Sequence, residues 1–367
     1  MAARARPARV RRAQADFRTE INIAGAGMAG LVAAARAREL GASPAVYEKG
    51  TRAGGSMLLS SGFVWRYRSV DIHMDQCPGA DESLVRTIVE QFDHALDWLE
   101  SMGVELLTRE TGNPLTSGAR FNPKQLVATL ARQVRLGETT SEPAILATGG
   151  FPVRLARARE VLLRANPWSA GDGLDLAVGR GAATVGDMDE FYGRNMPDVD
   201  ELAEEDFVSA SQLYAQYALV VDEQGREFLQ APVSWSETDV AQATARQPNG
   251  RAWYLLTEKA LRQEVRDRTV SDMVDAAHPV PAEQLPFPVP HSIVLGVPVR
   301  AAVTSTIGGL RIDERARVLD ERGARVDGLH AAGVDAGGWA TGGYASGLAA
   351  ALVFGKIAAE SALDQAA

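Results

Sequence analysis

The residues that most constrain this chain are Gly25, Gly27 and Gly30, set between a short apolar run and a helix-forming one. Thr19 to Ala24 is apolar and partly β-branched, and reads as a buried strand. The glycines then follow in G-x-G-x-x-G spacing. Gly25 permits a tight turn, Gly27 lets backbone approach a pyrophosphate, and Gly30 lets the next helix, roughly Met28 to Leu40, pack on the strand. Ala26, Met28 and Ala29 complete the loop and the helix start, whose free N–H groups and partial positive charge point at the phosphates. Gly41 and Ser43-Pro44 end the helix, and Ala45 to Tyr47 starts a second strand. Glu48 at its tip, with Lys49 beside it, is placed to accept hydrogen bonds from a ribose diol. A 2′-phosphate there would be repelled, which argues against NADP. The expected fold is α/β with a Rossmann-like dinucleotide-binding domain.

Further glycine-rich segments occur along the rest of the chain. Arg52-Ala53-Gly54-Gly55-Ser56 and Ser60-Ser61-Gly62 follow the second strand. Then come Ala147-Thr148-Gly149-Gly150-Phe151, Ser169-Ala170-Gly171-Asp172-Gly173, Gly225-Arg226-Glu227-Phe228 and Thr306-Ile307-Gly308-Gly309-Leu310. Near the end lie Gly328-Leu329-His330-Ala331-Ala332-Gly333, Gly342-Gly343-Tyr344-Ala345-Ser346-Gly347-Leu348 and Leu352 to Ala358. Taken in order, these resemble the motifs of the fumarate reductase/succinate dehydrogenase flavoprotein superfamily, which includes 3-ketosteroid dehydrogenases.

The resemblance implies FAD held by both ends of one discontinuous domain, at residues 19–185 and 301–367, with an inserted α+β capping domain at 186–300. It implies cofactor contacts from Gly54, Gly55, Ser56, Ser60, Ser61 and Gly62, from Ala147, Thr148 and Gly149, and from Asp172, Gly333, Ser346, Gly347 and Leu348. The family often has a glutamate after its AAG. Here Val334 stands there, and either Asp335 takes over the ribityl contact or that contact is lost. A helix starting near Ser346 would aim its N–H groups at the flavin and stabilise the reduced state. Gly342 and Gly343 would let backbone approach the ring. The family's flavin-linking histidine is missing from the 55–62 segment, so FAD is expected to be noncovalent.

The family's dicarboxylate devices are also missing. Its first histidine position holds Phe191-Tyr192-Gly193-Arg194, its second Thr304-Ser305, and the segment of its arginine acid reads Trp235 to Val240 with no arginine. This argues against fumarate and succinate. The candidate catalytic set is Tyr192 as acid or base, Arg194 as a clamp for anionic or carbonyl oxygen, Trp235 with Trp339 and Tyr344 as aromatic walls, and Arg120 and Arg66 as further anion contacts. The expected function is hydride transfer between flavin N5 and a carbon α or β to a carbonyl or carboxyl of a small organic substrate. The alternatives are a 3-ketosteroid dehydrogenase-like enzyme and a non-catalytic flavin-binding or electron-transfer protein. No second G-x-G-x-x-G occurs between residues 60 and 300, so electrons are expected from the substrate or from a separate donor or acceptor, not from a nicotinamide held in its own Rossmann domain.

Composition narrows the remaining classes. A single cysteine, Cys77, excludes an intrachain disulfide and a redox dithiol. The scattered histidines show no metal-ligand spacing, so no metal site is expected. Residues 1 to 18 form a basic arm expected to be disordered. Residues 1 to 20 carry a net +4 within a chain of net −9. The acidic body argues against nucleic acid. No stretch reaches the ~18 apolar residues of a membrane span, and no apolar signal region follows Arg11-Arg12. A cytoplasmic protein is expected. Ser83 to Ser101 has helical periodicity, Asn122-Pro123 opens a helix running to Val134, and Ala144 to Leu146 is a short strand.

Overall fold

The computed structural model describes residues 19–266 and 268–366, so the basic arm at 1–18 lies outside the described residues. Glu20–Ala24 (β1), Met28–Glu39 (α1) and Ser43–Glu48 (β2) form the expected strand–helix–strand unit. Gly25 makes its turn at φ 100°, and a Cβ there would lie 2.1 Å from the Ala147 carbonyl oxygen, so only glycine fits. Glu82–Ser101 (α2) begins one residue before the expected Ser83. Asp81 caps it by accepting from the Ser83 and Leu84 N–H groups, and Gly103 past the end has φ 83°.

Pro123–Leu130 (α3) is capped by Asn122 but ends short of the expected Val134. Ala131 leaves helical geometry, and Val134–Leu136 (β3) instead pairs parallel with β2, Val46 opposite Val134. A β-branched residue at an available sheet edge gains more from the ladder than from another helical turn. Ile145–Leu146 (β4), Asp172–Gly179 (α4), Phe191–Pro197 (β5), Leu219–Val221 (β6), Thr238–Ala245 (α5), Arg251–Thr257 (β7) and Ile293–Thr306 (β8) follow. Arg317–Leu319 (β9), Arg325–Ala331 (β10) and Gly347–Ala366 (α6) complete the chain.

Two main sheets result. The first runs β9-β10-β4-β1-β2-β3, parallel except for the β9 edge, and so joins the two ends of the chain. The second is antiparallel, ordered β5-β8-β7-β6. The expected domain boundary at residues 300 and 301 falls inside β8, which continues unbroken to Thr306. Its inner end pairs with Leu162–Leu163. β8 therefore ties the second sheet to the segment after β4.

α6 is apolar over most of its length and lies in the main core with α1. Leu352, Val353 and Phe354 are buried there, each contributing roughly 1.5–3 kcal/mol by leaving water. That packing brings the α6 N-terminus to the same cavity as the glycine loop before α1. A separate core around Tyr214, Tyr254, Met273 and Val297 supports the second sheet. No helix among the described residues is long and apolar enough to cross a membrane.

Candidate active site

A cavity of about 500 Å³ opens between the two sheets. Its floor comes from the glycine loop and the α6 start: Gly27, Met28, Ala29, Gly333, Ser346, Gly347 and Leu348. One wall is Gly55, Ser56, Ser60 and Ser61, and another is Ala147, Thr148 and Gly149. A smaller cavity of about 80 Å³ adjoins it, lined by Gly25, Lys49 and Asp172. Glu48, Thr148 and Asn166 face both. Lys49 and Asp172 form an ion pair of 2.5 Å there. Glu48 is buried and holds the loop together. One carboxylate oxygen accepts from the Ala26 N–H at 3.0 Å and the other from the Gly50 N–H at 2.8 Å. Each oxygen keeps a lone pair for a ligand.

Several of the expected contact residues line neither cavity and make contacts within the protein. The Ala26 carbonyl accepts from the Gly54 N–H at 2.8 Å, which locks the two loops. Gly30 packs the helix on Gly25, and Gly62 packs on the Phe121 carbonyl. Asp335 turns away from the expected ribityl contact. It is buried and accepts from the Gly150 N–H at 2.8 Å and from the Thr148 N–H and hydroxyl. It thus satisfies the turn after β4 and does not reach the cavity. Gly342 and Gly343 pack on Gln76 to Gly79, not on the cavity.

Tyr192 and Arg194 both line the large cavity because they alternate on one face of β5. A bulge helps aim them. Tyr192 pairs with Ser305 and Gly193 with Val303, leaving Thr304 as the extra residue on β8. Tyr344 stacks on Tyr192. Its loop is held by the Glu190 carboxylate, which accepts from the Gly342 N–H at 3.0 Å. Trp65 and Trp235 extend the aromatic wall, with ring centroids 5.5 Å apart. The Trp235 indole donates to Gln76 at 3.2 Å. Arg120 lines the cavity too, its guanidinium over Phe63 and its Nε donating to the Ser61 carbonyl.

Arg66 is a correction. On the Phe63–Tyr67 strand Trp65 faces the cavity, so its neighbour points the other way. Arg66 pairs with Asp93 at 2.6 Å instead. Trp339 is likewise outside the cavity wall, buried with its indole donating to the Ala336 carbonyl.

Sequence reasoning missed Arg164 and Arg266, which line the same cavity. Arg164 follows the short strand paired with β8. Its Nε donates to the Phe207 carbonyl at 2.6 Å and its Nη1 to the Thr304 hydroxyl at 3.1 Å. Arg266 sits at a turn with φ 60°. No arginine stands in the Trp235 to Val240 segment, yet this one arrives from further along. Burial raises the Tyr192 phenol, but Arg194, Arg164, the hydrogen bond with Tyr344 and Arg266 together outweigh it and its pKa is lowered. The Tyr344 phenol is pushed well up by burial and by Tyr192. Glu237, behind this cluster at the start of α5, is buried and accepts from the Ala215 N–H at 3.0 Å. Burial pushes its carboxyl up to about 8 against the pull of Arg194. Among the described residues no group of His, Cys, Asp and Glu could hold a metal ion.

The family model described as FAD binding domain matches residues 21–142 and 117–348. No curated protein sequence matches the chain. Among solved structures, the open conformation of a flavocytochrome c3 fumarate reductase is similar at 20% identity and TM-score 0.69, over 95% of this chain and 78% of that one. The 3-ketosteroid-Δ4-(5α)-dehydrogenase from Rhodococcus jostii RHA1 is similar at 19% and 0.67, over 94% and 97%. The 3-ketosteroid Δ1-dehydrogenase from Sterolibacterium denitrificans is similar at 16% and 0.68, over 94% and 99%. At these identities the likeness is one of fold.

The site fits FAD. A Cβ on Gly27 would meet nothing within 4 Å, so this edge of the cavity is open to a bulky group. The first turn of α1 carries no acidic residue to repel a pyrophosphate. The two cavities share Glu48, Thr148 and Asn166 in their walls, so a dinucleotide can occupy both.

Proposed function

We propose, for a chain that belongs to the FAD binding domain family, that the larger cavity is the active site of an FAD-dependent oxidoreductase. Bound FAD would supply the acceptor or donor of a hydride at its N5, exchanged with a carbon α or β to a carbonyl or carboxyl of a small organic substrate. Gly27, Met28 and Ala29 would hold the pyrophosphate at the α1 N-terminus. Glu48 would accept from the adenosine ribose, with Lys49 and Asp172 flanking the smaller cavity. Gly55, Ser56, Ser60, Ser61, Thr148 and Gly149 would line the rest, and Ser346, Gly347 and Leu348 would present the α6 N-terminus. No histidine lines either cavity among the described residues, which supports noncovalent binding.

The observation that carries the catalytic reading is Tyr192, a phenol in the cavity wall stacked on Tyr344 with the Arg194 guanidinium over its ring. Tyr192 would take up or give the proton on the carbon next to the substrate carbonyl. Arg194 would hold the oxygen on which negative charge develops. Trp65, Trp235 and Tyr344 would exclude water. Residues 186–300 would act as the cap that supplies Tyr192, Arg194, Trp235 and Arg266, hinged to the FAD-binding segments through β8. The apolar wall of Met57, Leu59, Phe63 and Trp65 favours a second reading, a 3-ketosteroid dehydrogenase-like enzyme with a bulky neutral substrate. An anaerobic screen of acids, ketones and steroids for bleaching of the bound flavin tests both. Bleaching by an acid or small ketone supports the first reading and bleaching by steroids alone the second. No bleaching by any of them would leave a flavin-binding protein without this activity.

A further inference from the structure

We propose that the cavity takes a ring-bearing organic acid, its planar apolar body along the aromatic wall and its carboxylate seated at Arg194. This rests on the oxidoreductase reading and narrows its substrate. The wall is continuous. Trp235 packs on Trp65, Trp65 on Tyr344 at 5.6 Å, Tyr344 stacks on Tyr192, and Arg194 lies over the Tyr192 ring at 5.0 Å. An aromatic surface thus leads into a guanidinium.

That guanidinium lacks a partner among the described residues. Arg194 is 4% exposed, and its Nη1 has no hydrogen-bond acceptor among the described residues. A buried, unpaired cationic donor is costly unless a ligand satisfies it. Arg164 and Arg266 add positive charge to the same cavity. Glu237, the carboxyl behind this cluster, is pushed up to about 8 by burial and is a weakened counter-ion. A neutral ketone would bring no negative charge to this cluster. A small diacid would leave the aromatic wall without contact. A carboxylate matches the guanidinium fork, and a ring beside it fills the wall.

The test is binding to the FAD-loaded protein, read by the absorption of the bound flavin and by tryptophan fluorescence, with benzoate, benzamide and acetate as probes. Benzoate should saturate at least about ten-fold more tightly than either of the others, benzamide lacking the charge and acetate the ring. Arg194→Met should erase the preference over benzamide with FAD still stoichiometric, and Arg194→Lys should keep part of it. Benzoate binding no tighter than benzamide, or a preference that survives Arg194→Met, overturns the proposal. So does loss of FAD from both variants, which would assign the arginine to the cofactor. Acetate binding as tightly as benzoate removes the ring from it. Benzoate need not react, so a protein that binds it selectively yet is reduced by no acid would refute the redox reading alone.

Discussion

The Tyr192 and Tyr344 rings lie nearly parallel, 13° apart with centroids 3.8 Å apart. One comes from β5 and the other from the loop before α6, so the stack joins the second sheet to the helix that borders the cavity floor. The Tyr67 hydroxyl donates to the Tyr344 carbonyl at 2.7 Å and fixes that loop. The two phenols are driven in opposite directions. Burial raises both, but Arg194, Arg164, the hydrogen bond with Tyr344 and Arg266 together reverse the shift at Tyr192, whereas burial and Tyr192 itself push Tyr344 up.

On the proposed mechanism Tyr192, beside Arg194, is the proton carrier of the pair. Tyr192→Phe should keep FAD and slow substrate-driven flavin reduction by roughly 10²–10⁴-fold. Tyr344→Phe should cost less. Stopped-flow reduction under anaerobic conditions measures both. In the direction that removes a substrate proton, the wild-type rate should rise with pH to a midpoint below the ordinary phenol value of 10. The Tyr192→Phe profile should be flat. Equal rates in wild type and Tyr192→Phe would move the proton transfer to another group.

Gly25 and Gly27 separate folding from cofactor binding. Gly27→Val has space around its Cβ within the protein. It should therefore melt near the wild-type apoprotein yet lose FAD, because the branch occupies the phosphate position. Gly25→Ala meets the Ala147 carbonyl at a left-handed φ and should destabilise the apoprotein itself by more than ~1 kcal/mol. Thermal melts with flavin quantified after acid precipitation check both. The same precipitation should release the FAD of the wild type, and colour kept by the pellet would contradict noncovalent binding.

Glu237 sets a pH dependence of stability. Its folded pKa, about 8, lies above the ordinary 4.5 because of burial. Its stabilising contribution is therefore complete below pH 4.5 and is lost as pH rises through 8. Glu237→Gln keeps an acceptor for the Ala215 N–H and removes the titration. The variant should gain on wild type between pH 5 and pH 8 by on the order of a few kcal/mol. Urea unfolding at the two pH values measures it, and parallel curves would show that the carboxyl is already ionised in the fold.

Asp335 is predicted to matter for the fold more than for chemistry. Asp335→Ala leaves the Gly150 and Thr148 N–H groups without their acceptor, at a cost of about 1–3 kcal/mol per buried donor. Asp335→Asn should recover part of that through its remaining carbonyl oxygen. If denaturant unfolding of the apoprotein shows no loss in the alanine variant, the turn after β4 is held by other contacts.

What the sequence determined by itself is local. The strand, glycine turn and α1 are encoded within a few residues of one another, as are the Asp81 and Asn122 caps and the shared face of Tyr192 and Arg194. Short-range sterics and the two-residue period of a strand suffice for these. The order of the glycine motifs also carried the family. Tertiary structure decided everything that depends on which side of an element meets the cavity. Arg66 and Trp65 are neighbours, and only the packing of their strand shows that the tryptophan faces in. Asp335 could serve a ligand or the turn after β4, and only the parallel pairing of β10 with β4 brings that turn within its reach. Arg164 and Arg266 stand in no motif. Arg164 joins Arg194 because the short strand before it pairs with β8, Arg266 arrives on the turn of a separate hairpin, and no local pattern encodes a contact between segments so far apart in the chain.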